Sequence, residues 1–219
     1  VKDLAEYLRV NDSLLISDMT DGKVIYNYNG EKLGIPASTL KLPLAYYALT
    51  TLGENYRFET EFYLDKQNNL LIRGKGDPFL ETKEINIASE NLVTNLEAIG
   101  VKKINDIIID DSYFDKIVVP GVERKELAYY GYNYPFVVNF NTLNLMKRKG
   151  EIYSLDFNTP VNDFMRRIGK AFIRKRPGRV NISYSRDYVL ENGCKLFKDF
   201  FKIHGLSVTG QCIYDTKAN

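Results

Sequence analysis

The chain has 219 residues, 44% of them hydrophobic and 13% aromatic, which is enough to pack one large domain or two small ones. Thirty Lys and Arg against 28 Asp and Glu leave a formal charge of +2, a balance that gives no support to nucleic-acid binding. Two cysteines and one histidine exclude Cys/His zinc patterns, and no apolar run approaches the roughly 18 residues of a membrane helix.

In chain order, residues 13–18 and 23–28 read as short strands joined by Met19-Thr20-Asp21-Gly22, because an Asp-Gly turn between β-prone runs signals a hairpin. A helix is expected over 38–52, stopped by Gly53. Residues 58–64 and 70–73 read as a second hairpin. Residues 84–99 form a helix with Leu92, Leu96 and Ile99 on one face and Gly100 as its stop. The isoleucine-rich run 104–110 is a strand buried on both faces, so strand, helix and strand make a small α/β unit. Residues 136–145 and 151–156 form a third hairpin-like pair, 161–173 a helix and 180–184 a strand. A helix over 189–204 places Leu190, Cys194, Phe197 and Phe201 on one face, and 206–214 is a final strand. There is no internal repeat and no low-complexity linker.

The feature that carries chemistry is Ser38-Thr39-Leu40-Lys41. A serine hydroxyl is a weak nucleophile at neutral pH, and a lysine driven toward its neutral form by burial or nearby positive charge can take its proton. Positions i and i+3 of a helix share a face about 5–6 Å apart, so Lys41 can reach the Ser38 hydroxyl. A serine at a helix start also lies near free amides and the positive end of the helix dipole. A capping serine followed by a solvated lysine is the plain alternative. Pro43 lacks the N–H that would bond back to Thr39, so the helix either opens with a distorted turn or begins later.

Other segments have structural readings. Arg166, Arg167, Lys170, Arg174, Lys175, Arg176 and Arg179 read as a solvated helix face with a basic turn after it. His204 precedes Gly205 and suits a helix C-terminal cap. Cys194 and Cys212 either pair in an exported protein or stay buried thiols. Gly74-Lys75-Gly76-Asp77-Pro78 lacks the Gly-Lys-Ser/Thr ending of a phosphate loop and reads as a tight turn. The tyrosine-rich stretch 129–135 reads as aromatic packing. No histidine accompanies Asp110-Asp111, and neither metal nor cofactor is expected.

Four segments, in order, resemble the low-molecular-mass class C penicillin-binding proteins, the serine D-Ala-D-Ala carboxypeptidase/endopeptidase family. They are Pro36-Ala37-Ser38-Thr39-Leu40-Lys41-Leu42 after its hairpin, with Phe58-Glu59-Thr60 downstream; Leu71-Ile72-Arg73-Gly74-Lys75-Gly76-Asp77-Pro78-Phe79-Leu80; Ile107-Ile108-Ile109-Asp110-Asp111-Ser112-Tyr113-Phe114-Asp115; and Val138-Asn139-Phe140-Asn141-Thr142. A looser match runs on through Leu206-Ser207-Val208-Thr209-Gly210, so the resemblance spans nearly the whole chain.

The resemblance implies an α+β fold. Residues 1–60 with about 186–219 would form part of a serine β-lactamase/transpeptidase-like layer, and 61–185 a large α/β insertion. It implies Ser38 as nucleophile and Lys41 as its activator, with an acyl-enzyme formed on the D-Ala-D-Ala end of a peptidoglycan stem peptide. β-Lactams would acylate the same serine. Asp110 or Asp111 would bind the amino group of a diamino acid in the stem peptide. The compartment would be periplasmic or otherwise extracytoplasmic, and the start at Val1 points to a mature or trimmed chain.

The sequence departs from the family pattern in two places. The only Ser-x-Asn, Ser89-Glu90-Asn91, falls in a helix ahead of segments it should follow. No Lys-Thr-Gly occurs, and Val208-Thr209-Gly210 has valine in place of the cation. The expectation is that the chain stops at Asn219 where the second catalytic half would begin. Losing one oxyanion donor slows such enzymes on the order of a hundredfold or more. The alternatives are a catalytically silent, truncated relative that binds cell-wall peptide or a protein partner, and an unrelated α+β structural protein with a chance tetrapeptide.

Overall fold

The computed structural model describes residues 2–118, 130–173 and 177–215. Tyr129 of the tyrosine-rich stretch and Arg174, Lys175 and Arg176 of the basic cluster lie outside the described residues. The chain divides into two compact units, Val1–Tyr56 and Arg57–Asn219.

In the first unit, a 3₁₀ segment Lys2–Tyr7 precedes the expected hairpin of β1 (Leu14–Ser17) and β2 (Val24–Tyr28), paired antiparallel. Its turn uses Gly22 at φ 73°, with the Gly22 N–H donating to the Asp18 carbonyl at 2.9 Å. A second 3₁₀ segment, Ala37–Leu40, runs into α1 (Lys41–Leu52). Pro43 therefore falls in the first turn of the α-helix, where its missing N–H has no intrahelical partner to lose. Gly53 ends the helix at φ 83° and donates to the Leu49 carbonyl. α1 is apolar on every side, yet Leu42, Leu44, Tyr46, Tyr47, Leu49 and Leu52 are all exposed, and no described residue of this unit is buried.

The second unit opens with β3 (Thr60–Leu64) and β4 (Leu70–Gly74), an antiparallel hairpin whose turn is held by the Asp65 carboxylate accepting from the backbone of Gln67 and Asn69. α2 (Thr82–Ala98), β5 (Lys103–Ile104) and β6 (Ile107–Asp110) follow. β7 (Thr142–Arg148), β8 (Glu151–Ser154), α3 (Asp163–Phe172), β9 (Gly178–Asn181), α4 (Arg186–Ile203), β10 (Ser207–Val208) and β11 (Cys212–Asp215) complete it. β4 and β6 are parallel and joined through α2, the α/β unit expected from the isoleucine run. The sheet order is β11-β6-β4-β3, with β11 parallel to β6. A separate antiparallel sheet has the order β8-β7-β9, and α3 packs on it through Gly169 against Ile152.

The structure differs from the sequence expectation at three points, each with a local cause. Residues 104–110 form two strands because the chain jogs at Asn105-Asp106: β5 pairs with β10, β6 with β4 and β11, and Asp106 Oδ1 accepts from the Gln211 N–H at 2.7 Å. The final strand breaks in step at Gly210, where a Cβ would sit 2.0 Å from Asp106 Oδ1. Residues 136–141 do not begin a strand, because Asn139, Phe140 and Asn141 all take left-handed backbone at φ 49°, 56° and 52°. Asparagine tolerates this conformation and phenylalanine does not, so the turn stores on the order of 1–3 kcal/mol per strained residue. Buried side chains hold it: Asn139 Oδ1 accepts from the Thr82 N–H at 2.8 Å, and Asn141 Oδ1 from the Val138 N–H at 3.3 Å.

β11 is hydrogen-bonded to β6, α4 packs on α2 and β6, and the division comes after Tyr56. Phe197 on α4 meets Phe62 edge-on at 5.7 Å between ring centroids and Phe136 at 6.5 Å. Phe136, Phe197, Phe201, Ile72, Ile107 and Ile109 are fully buried, each contributing roughly 1.5–3 kcal/mol of hydrophobic free energy, and Phe62 packs on them half-buried.

Cys194 of α4 and Cys212 of β11 form a disulfide across 18 residues. Closing a loop of that size restricts the unfolded chain by about 3 kcal/mol. Urea denaturation of the second unit, followed by far-UV circular dichroism with and without reductant, should show a loss of about that size on reduction. An unchanged midpoint would mean that the cysteines do not pair.

Candidate active site

Ser38 lies in the 3₁₀ segment and Lys41 is the first residue of α1, so a single turn brings the two together. Lys41 Nζ donates to Ser38 Oγ at 3.2 Å, and both residues are exposed. Two further features shape the turn: Ala37 at φ 44° and a hydrogen bond from Thr39 Oγ1 to the Pro36 carbonyl. The arrangement supplies a hydroxyl and an amine within direct proton-transfer reach.

Asp110 ends β6 and Asp111 follows it, in the second unit. Both carboxylates are buried, with 0% and 1% of their side chains exposed. Asp110 Oδ2 accepts from Arg73 Nε at 2.6 Å and Oδ1 from the Ser112 N–H at 2.9 Å. Burial works to raise the Asp110 pKa, but the hydrogen bonds from Ser112 and the guanidinium of Arg73 outweigh it, and the carboxyl is held below its ordinary range. Arg73, directly across in register on β4, also lies 5.7 Å over the Tyr63 ring. Asp111 is gripped through both oxygens by Arg186, the first residue of α4, with Nε to Oδ2 at 2.7 Å. Asp111 and Arg186 line an open cavity of about 450 Å³ together with Ser112, Phe114, Lys116 and Tyr134. The sequence reading does not single out Arg73 or Arg186 as partners of these carboxylates, because neither is near its partner in the chain.

The remaining sequence features fall into structural places. Ser89 is fully buried within α2 of the second unit, and its hydroxyl has no partner among the described residues. Gly76, at φ 83°, donates to the Pro135 carbonyl at 2.7 Å, and Asp77 accepts from the Phe79 N–H, a tight turn. Lys75, beside it, bonds Glu59 at 2.7 Å and Glu61 at 3.1 Å, and these carboxylates raise its pKa. His204 caps α4, and its Nε2 lies 3.0 Å from Asn86 Oδ1. Arg166, Arg167 and Arg179 are paired with Asp163, Glu191 and Asp156. Among the described residues no group of three potential metal ligands forms, and no helix is long and apolar enough to cross a membrane.

Residues 2–161 match the D-Ala-D-Ala carboxypeptidase 3 (S13) family. D-alanyl-D-alanine carboxypeptidase DacB of Haemophilus influenzae is 30% identical over 124 residues, 52% of this chain and 25% of that protein. A D-alanyl-D-alanine carboxypeptidase of an Actinomadura species is 28% identical over 110 residues, 47% of this chain and 20% of that protein. The fold is similar to the crystal structure of penicillin binding protein 4 (dacB) from H. influenzae, with a TM-score of 0.63 at 19% identity, covering all of this chain and 56% of that one. The same protein complexed with a β-lactam gives a TM-score of 0.55 and 55% coverage. The chain thus spans little more than half of the solved structure it matches, and the aligned part is a quarter or less of the curated relatives.

The Asp110 carboxyl sets an acid limit. Its folded pKa is depressed, so its stabilisation is complete above the unfolded carboxyl's value of about 3.9 and is lost as pH falls through the lower folded value. Denaturation midpoints should therefore drop below about pH 4. Asp110→Asn should lower stability at neutral pH and flatten that acid dependence, whereas a parallel fall in variant and parent would show that Asp110 does not titrate in this way.

Proposed function

Since the chain belongs to the D-Ala-D-Ala carboxypeptidase 3 (S13) family, the low-molecular-mass class C penicillin-binding proteins, we propose that it is a serine-type acyl-transfer protein acting on peptidoglycan stem peptides. The observation that carries the reading is the 3.2 Å contact between Lys41 Nζ and Ser38 Oγ. As Ser38 Oγ attacks the carbonyl carbon between the two terminal D-alanines, Lys41 takes its proton. The tetrahedral intermediate expels the terminal D-alanine, whose amine accepts a proton, and an ester to Ser38 remains. Water then hydrolyses that ester. On a β-lactam the same attack opens the ring and leaves the drug attached to Ser38, in keeping with the β-lactam complex of the similar fold.

In this proposal Ser38, Lys41 and the hairpin of the first unit are part of the transpeptidase-like layer, and the second unit carries the inserted region. Asp111, at the wall of its cavity, would meet the ammonium of a stem-peptide diamino acid, with Arg186 fixing the carboxylate in place through both oxygens; Asp110 would act behind it through the strand end. The Cys194–Cys212 disulfide supports an oxidising, extracytoplasmic compartment. A second reading, a silent relative that binds cell-wall peptide or a partner protein, would leave Ser38 unacylated.

Incubation with a fluorescent penicillin, followed by intact-mass measurement, separates the two. One drug adduct per chain is expected, absent in Ser38→Ala. Lys41→Ala should slow acylation by roughly a hundredfold or more, the usual contribution of a positioned base. No adduct at millimolar drug, or an adduct that survives in Ser38→Ala, would sink the acyl-transfer reading.

A further inference from the structure

A second cavity of the second unit, about 720 Å³, opens between the start of α2, the strained turn 139–141, the loop after β8 and the end of α4. That volume is within the range of roughly 300–1,000 Å³ typical of small-ligand sites. At its base, Thr82, Asn139 and Thr159 form a buried hydrogen-bonded group, with Thr82 Oγ1 and Thr159 Oγ1 2.8 Å apart and Asn139 Nδ2 donating to Thr82 Oγ1 at 3.0 Å. At its mouth, apolar side chains are left in water: Phe157 is 88% exposed and Phe140 52%. The turn holds Phe140 there in a backbone conformation unfavourable to it, clamped on either side by buried Asn139 and Asn141. The core can bury a phenylalanine, and this one is kept at the cavity instead.

The polar groups define the occupant. Arg179 is paired with Asp156 at 3.2 Å, and Lys83 and Glu81 offset one another, so the lining calls for a ligand without net charge. Asn86 uses Oδ1 on His204, leaving its Nδ2 without a partner among the described residues, and the Asn158 amide has none. Aromatic faces attract the positively polarised edges of C–H groups, and free amides pair with hydroxyls and acetamides. A neutral pyranose with C–H bonds on its faces and hydroxyls at its rim presents both.

We propose that this cavity is a carbohydrate subsite for the N-acetylated glycan strand from which stem peptides branch. The choice of N-acetylated sugar rests on the cell-wall reading above. Phe157 stacks on one sugar face, Phe140 meets its neighbour, and Asn86 and Asn158 hydrogen-bond its acetamide and hydroxyl groups.

The test is titration of the 219-residue chain with tetra-N-acetylchitotetraose, followed by calorimetry and by amide chemical shifts. Saturable binding is expected, with shifts centred on the cavity. Phe157→Ala, whose side chain packs against little, should keep the parent melting temperature and bind roughly tenfold more weakly. Tyr153→Ala, removing an aromatic of another face, should leave affinity unchanged. Absence of binding at millimolar sugar, equal binding of cellotetraose, unaltered affinity in Phe157→Ala, or cavity shifts elicited by a free stem peptide in place of the sugar would each overturn the proposal. Penicillin adduct on Ser38 is scored in the same sample. Sugar binding without adduct defeats the acyl-transfer reading and leaves the subsite, and adduct without sugar binding does the reverse.

Discussion

Two neighbouring carboxylates, Asp110 and Asp111, are buried at the end of β6 and neutralised by arginines from different elements. An unpaired carboxylate in such a place is strongly unfavourable, so the partners are a condition of the fold. Arg73 comes from β4 and is opposite Asp110 in the parallel pairing. A one-residue slip of that register would carry Arg73 to the other face of the sheet, together with the alternation that buries Leu70 and Ile72. Arg186 reaches Asp111 from the first residue of α4, which fixes where that helix begins. Charge pairing and hydrophobic alternation thus select the same strand register, and α4 can then lay Phe197 and Phe201 into the core. Removing one partner of such a pair, in general, costs about 3–5 kcal/mol, because a buried charge is left behind.

The glycines at close approaches serve the same geometry. A Cβ on Gly74 would lie 2.5 Å from the Phe136 Cα, and one on Gly193 would lie 2.1 Å from the Phe136 ring. Phe136 is therefore held between β4 and α4 by two positions where no side chain fits. The turn 139–141 follows three residues later, so its strain is imposed on a chain already anchored by packing.

What the sequence reveals follows the distance over which each interaction acts. The Asp21-Gly22 hairpin, the stop at Gly53 and the contact of Ser38 with Lys41 are settled within a few residues, and all are readable from spacing and turn chemistry; the α2 face is not, since the helix buries Ile85, Ser89, Val93 and Leu96 and leaves Ile99 exposed. The salt bridges are not, since 37 residues separate Arg73 from Asp110 and 75 separate Arg186 from Asp111. The pairing of Cys194 with Cys212 was open for the same reason. Residues 136–145 carry β-prone side chains throughout, but the two asparagines at 139 and 141, residues that tolerate left-handed backbone, were the overlooked signal of a turn. The split of 104–110 was signalled by Asn105 and Asp106, polar residues whose side chains bond the neighbouring backbone instead of continuing the ladder.

α1 presents Leu42, Leu44, Tyr46, Tyr47, Leu49 and Leu52 to water, beside a two-stranded hairpin. Neither a lone hairpin nor a helix of 12 residues is more than marginally stable by itself, and burial lends little here. The free energy needed to open this unit locally therefore lies at the low end of the molecule, far below that of the β4–β6 core. Its amides are expected to exchange with deuterium ahead of those of the β4–β6 core.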